Sequence, residues 1–129
     1  MSRYKHRIAD KLLSRKLLGK GAVLIEGPKW CGKTTTAKQL AKSFLDLGDS
    51  SVLLQSTQMI ELSPKTLLEG KTPRLIDEWQ ALPRIWDCIR SEVDRRGEPS
   101  QFILTGSSVL PEADETIHSG TGRFAHLKM

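Results

Sequence analysis

The sequence predicts an α/β chain built on a mostly parallel sheet with helices on both faces. Three observations predict it. Apolar runs of strand length alternate with segments whose apolar residues recur at helical spacing. The run GAVLIE leads directly into GPKWCGKT (27–34), which holds two glycines at the spacing of a phosphate-binding loop. That stretch then opens a helix-patterned segment, giving the strand–loop–helix order in which such loops occur.

Taken in order, residues 4–18 carry Ile8, Leu12, Leu13 and Leu17 at helical spacing with cations between them, an amphipathic helix ending near Gly19. GAVLIE, bounded by Gly21 and Gly27, is too short for a helix and reads as a buried strand. KTTTAKQLAKSFLDLG sets Ala37, Leu40, Ala41, Phe44 and Leu45 on one face, which predicts a helix closing at Gly48. SVLLQ reads as a second strand, and residues 56–71 as a loop and short helix with Pro64 near its start. PRLIDEW is a third strand, with Pro73 at its beginning, where the missing N–H is tolerated. ALPRIWDCIRSEVDRRG places Leu82, Ile85, Trp86, Ile89 and Val93 on one helical stripe that stops at Gly97. QFILTGSS is a fourth strand running into a polar turn, residues 112–121 suit a short helix, and RFAHLKM opens a fifth strand. A chain that ends inside a strand reads as the N-terminal portion of a longer protein.

The 129 residues suffice for one domain with a real core and are too few for two. No apolar run approaches the length that spans a bilayer, and the basic N-terminus lacks the apolar segment of a signal peptide. Cys31 and Cys88 are too few for a disulfide scaffold or a four-ligand metal site, and His118 and His126 form no ligand cluster with them. The expectation is a cytoplasmic protein with reduced thiols and no membrane partner. Residues 1–20 hold seven Lys and Arg against Asp10, while the rest holds 13 basic and 14 acidic residues. The positive charge therefore belongs to the first helix. It suits either a solvated helix face or a nucleic-acid contact, although no interleaved aromatics favour base stacking.

Gly27-Pro28-Lys29-Trp30-Cys31-Gly32-Lys33-Thr34 fits GxxxxGK[ST] at every position. The glycines let successive backbone N–H groups converge on one anion, and the helix beginning near Gly32 adds its positive end. Lys33 is expected to set its ammonium between the outer phosphates, Thr34 to offer its hydroxyl to Mg²⁺, and Thr35 to reach the inner phosphate. Trp30 and Cys31 occupy positions that this chemistry leaves free. Trp30 suits local packing of the loop. Cys31 lies near Lys33 and a helix start, where a thiol pKa can be lowered.

Asp77 and Glu78 end the apolar strand of LIDE. Asp77 is expected to hold Mg²⁺ through its water shell, and Glu78 to orient or deprotonate the attacking water. FILTGSS ends another strand in Thr105, Ser107 and Ser108, and in parallel α/β sheets ligands bind beyond the carboxyl ends of strands. Two readings of these hydroxyls stand side by side: a hydrogen bond to the water or γ-phosphate, with Thr105 and Ser107 the better placed, or ordinary turn chemistry around Gly106. Arg123 follows HSGTG, and its guanidinium suits either a γ-phosphate in a neighbouring subunit or plain solvent.

The segments RIADKLL, GAVLIEGPKWCGKTTTA, LIDEWQ, PRIWDCIRSEVD, FILTGSS and HSGTGR resemble, in order, the N-terminal ATPase domain of a prokaryotic AAA+-like family. The resemblance covers essentially the whole chain, residues 1–129, as one ATPase core. It implies a P-loop three-layer sandwich with a five-stranded parallel sheet in the order 5-1-4-3-2. It implies that Lys33 and Thr34 belong to Walker A, Asp77 and Glu78 to Walker B, Thr105 to Ser108 to the sensor-1 region, and Arg123 to the arginine-finger position. It also implies ATP as the nucleotide, and a longer protein with a C-terminal domain of restriction-nuclease-like fold. The expectation is Mg²⁺-dependent ATP hydrolysis, with Arg123 acting in trans in a homo-oligomer. Two alternatives share the loop: a slow nucleotide-gated switch acting on a downstream domain or nucleic acid, and a small-molecule kinase, which the Asp77–Glu78 pair disfavours.

Overall fold

A computed structural model describes residues 2–27, 32–106 and 124–128, with side chains from residue 10 onward. The element order is α1 (Ser2–Gly19), β1 (Ala22–Glu26), α2 (Lys33–Leu40), β2 (Ser43–Asp46), α3 (Ser50–Leu62), α4 (Pro64–Leu68), β3 (Arg74–Asp77), a 3-10 turn (Trp79–Ala81), α5 (Ile85–Arg96), β4 (Phe102–Gly106) and β5 (Phe124–Lys128). The helix expected over 112–121 lies outside the described residues.

The five strands form one sheet in the order β2-β3-β4-β1-β5, the expected order, and every pairing is parallel. Alternation along each strand sends side chains to opposite faces. Val23 and Ile25 of β1, Leu75 of β3 and Ile103 of β4 pack with Leu13 and Leu17 of α1 and Ala37 of α2. Ala22, Leu24, Ile76, Phe102 and Leu104 face the other way, against Ile60 of α3, Leu67 and Leu68 of α4, and Ile85, Trp86 and Ile89 of α5. The result is three layers. Trp86 stacks on Phe124 at 4.5 Å between ring centroids and meets Trp79 at 4.8 Å, so aromatic contacts join α5 to the edge strand β5 and to the 3-10 turn after β3.

Two expected elements are corrected. The helix predicted to run to Gly48 ends at Leu40, and SVLLQ is helical, not a strand. The second strand is Ser43–Asp46, which pairs with Arg74–Asp77. Its apolar residues satisfy both periods over so short a run, and the sheet decides between them. Lys42 donates its N–H to the Pro73 carbonyl at 2.8 Å, which opens the ladder, and Leu45 turns inward while Phe44 faces out. Helix α3 starts where Asp49 caps it, accepting from the Ser51 and Val52 amides at 2.9 and 3.2 Å. The Ser51 hydroxyl first, then those amides, hold the Asp49 carboxyl below its usual range. Val52, Leu53, Met59 and Ile60 then supply the stripe that packs on the core.

At the far end of α5, Glu92 is buried and accepts from Arg95 and Arg96, with Arg96 also reaching Gln101 at 2.9 Å. This ties the helix to the start of β4. The Arg95 hydrogen bond, with those of Arg96 and both guanidinium charges behind it, outweighs burial and holds the Glu92 carboxyl at about 2, below the ordinary 4.5. A depressed carboxyl stabilises the fold fully above its unfolded pKa and loses that contribution as pH falls through its folded one. Glu92→Gln is therefore expected to cost about 2 kcal/mol at neutral pH. The gap between wild type and variant should narrow as pH falls from 4.5 toward about 2. Urea unfolding at pH 7 and pH 3 measures both numbers.

Candidate nucleotide site

A parallel sheet puts all its carboxyl ends on one edge. Here the ends of β1, β3 and β4 converge with the start of α2. The register aligns Ile25 with Thr105 and Asp46 with Asp77, so Glu26, Asp77 and Thr105 come to the same edge. Gly27 leaves β1, and the chain re-enters at Gly32, whose φ of 89° and ψ of 12° are left-handed. Gly32 accepts from the Thr36 N–H at 2.9 Å, so it closes the first turn of α2. A side chain at such an angle is strained, which explains a glycine at the point where the loop becomes a helix.

Lys33 and Thr34 follow at once. Lys33 is only 4% exposed, and its ammonium lies 3.8 Å from Glu78 Oε1. A buried cation needs an anionic partner, and Glu78 provides one across the edge. Thr34 Oγ1 donates to Asp77 Oδ1 at 2.9 Å. A hydroxyl whose hydrogen is held by a carboxylate turns its lone pairs outward. With Asp77 alongside, this makes an all-oxygen donor set of the kind Mg²⁺ prefers. Thr35, on the next position of α2, is exposed.

Thr105 is fully buried at the end of β4. Its hydroxyl donates to Asp77 Oδ1 and accepts from the Glu78 N–H at 3.1 Å. Glu78 is a non-glycine residue at positive φ, 58°, with ψ 54°. Its side chain lies near Gly48, where an added Cβ would sit 3.6 Å from Glu78 Cγ. Lys33, Thr34, Asp77, Glu78 and Thr105 are thus brought together. Pro28, Lys29, Trp30, Cys31, Ser107, Ser108 and Arg123 lie outside the described residues.

Two features carried no assignment from the sequence. Gln80 and Trp79 pack against Gly106, where an added Cβ would meet Gln80 Oε1 and Trp79 Nε1 at 3.1 Å each. The signal was available in LIDEWQ, since the two residues directly follow the acidic pair. Glu26 Oε1 meets His126 Nδ1 at 2.9 Å, so the residue before Gly27 is joined to β5. That contact spans a hundred residues and has no local signature. Among the described residues no cluster of three or more His, Cys, Asp or Glu could hold a metal by itself, and no helix is long and apolar enough to cross a membrane.

A model of the family described as "AAA domain" matches residues 19–129. An uncharacterized protein of Mycobacterium bovis is 31% identical over 106 residues, covering 81% of this chain and 24% of its own length. An uncharacterized protein of Mycobacterium tuberculosis matches with the same identity and coverage. The chain thus spans about a quarter of the length of these relatives.

The left-handed turn at Gly32 yields a direct test. Gly32→Ala is expected to destabilise the chain by about 1–2 kcal/mol. Gly19→Ala, where an added Cβ meets nothing within 4 Å, should stay within about 0.5 kcal/mol of wild type. Urea denaturation of the two variants side by side checks the contrast.

Proposed function

Because the chain belongs to the AAA domain family, we propose that it binds ATP with Mg²⁺ at this edge and hydrolyses it. The observation that carries the reading is the contact of Thr34 with Asp77 beside that of Lys33 with Glu78. Two adjacent residues at the start of α2 meet two adjacent carboxylates at the end of β3. A hydrogen bond joins Thr34 to Asp77 and an ion pair at 3.8 Å joins Lys33 to Glu78, so the phosphate-handling and water-handling groups adjoin.

In this reading the turn at Gly27 and Gly32 and the first amides of α2 receive the phosphates. Lys33 supplies positive charge to the outer phosphates from a largely water-excluded position, where it acts more strongly than in solvent. Thr34 and Asp77 hold Mg²⁺, which when bound draws charge from the phosphate oxygens. Glu78 takes the proton of the attacking water. Its partner Lys33 holds it along the same edge. Arg123 belongs to the proposal as a group acting from a neighbouring subunit.

Lys33→Ala should abolish ATP binding measured by calorimetry. Glu78→Gln should bind ATP within about threefold of wild type and lose roughly 100-fold or more in phosphate release. Turnover at the wild-type rate in Glu78→Gln would remove Glu78 as the base.

A further inference from the structure

We propose that Thr105 is a positioning residue for Glu78 and does not read the γ-phosphate. This rests on Glu78 acting as the base.

A threonine hydroxyl has one hydrogen to donate. In Thr105 it is committed to Asp77 Oδ1, while the oxygen accepts from the Glu78 N–H at 3.1 Å. A phosphate oxygen is an acceptor, so it would have to take that hydrogen from Asp77. Thr105 is also fully buried. The hydroxyl therefore serves the protein's own acidic pair.

Its position accounts for the backbone of Glu78. A glutamate at φ 58° is strained relative to ordinary helical or extended backbone. The hydrogen bond from its N–H fixes the peptide plane between Asp77 and Glu78. Gly106 adds a second restraint, because an added Cβ there would press on Trp79 Nε1 and Gln80 Oε1 at 3.1 Å each. The end of β4 thus holds the left-handed turn from which the Glu78 carboxylate reaches Lys33.

The test uses Thr105→Val, which keeps the shape and removes both hydrogen bonds, and Thr105→Ser, which restores them. Amide hydrogen exchange of Glu78 is followed by NMR in the 129-residue chain, beside ATP affinity, ADP affinity and turnover. Thr105→Val should speed exchange of the Glu78 amide roughly tenfold and lower kcat roughly tenfold or more, with KM within about twofold. Thr105→Ser should recover most of both. In a Glu78→Gln background, Thr105→Val should cause little further loss of turnover, since a residue acting through Glu78 has nothing left to position. An unchanged Glu78 amide in Thr105→Val would overturn the proposal. So would a selective loss of ATP over ADP affinity, or fully additive losses in the double variant. The separate finding that Glu78→Gln turns over normally would instead overturn the assignment of Glu78 as the base, leaving the exchange result to decide what Thr105 holds.

Discussion

One carboxylate oxygen organises the edge of this sheet. Asp77 Oδ1 accepts from Thr34 at the start of α2 and from Thr105 at the end of β4. These residues come from separate parts of the chain, and only the parallel order β3-β4-β1 brings them to one carboxylate. An ionised carboxylate accepts several hydrogen bonds and donates none, so it is the group suited to gather hydroxyls from two directions. Each hydroxyl then has its orientation decided. Thr34 turns its lone pairs outward, and Thr105 turns its own toward the Glu78 amide.

The two-sided core makes that edge rigid. β3 contributes Leu75 to one face and Ile76 to the other, and β4 contributes Ile103 to one face and Leu104 to the other. Neither strand can slip by one residue without exchanging its buried faces. Beyond β3, Trp79 is buried and leans on Trp86, which stacks on Phe124. An apolar anchor thus sits directly after the acidic pair. At the opposite edge, the Glu92 network fastens α5 to the entry of β4. The strand that carries Thr105 is held at both ends.

Much of this was legible in the sequence, for physical reasons that differ by element. β1 and the start of α2 were readable because an apolar run, glycine spacing and a following lysine and threonine admit few other structures. Asp77 and Glu78 were readable because charge seldom follows Leu75-Ile76 unless a strand ends there. α5 was readable from the stripe of Ile85, Trp86, Ile89 and Val93. The segment 41–62 misled, since SFLD and SVLLQ each hold too few apolar residues to separate the two periods. The decisive groups were the Asp49 cap and the pairing of Lys42 with Pro73, one a local bond and one a long-range bond. For Thr105 the sequence placed the residue and left its hydrogen unassigned, because the partner of a hydroxyl is a matter of packing.

The conformation of Glu78 explains how two consecutive carboxylates meet one edge of the sheet. Successive residues of a strand point to opposite faces, so an extended Asp77-Glu78 would send the two carboxylates apart. Leaving the strand through a left-handed residue breaks that alternation. Asp77 then faces Thr34 while Glu78 faces Lys33, and those two partners are themselves neighbours in the chain. A non-glycine residue in this region costs about 1–2 kcal/mol. Burial of the Trp79 side chain immediately afterwards contributes about 2–3 kcal/mol, and the Thr105 bond adds to it. The turn is therefore sustained by its surroundings, and its strained residue is the one whose carboxylate meets Lys33.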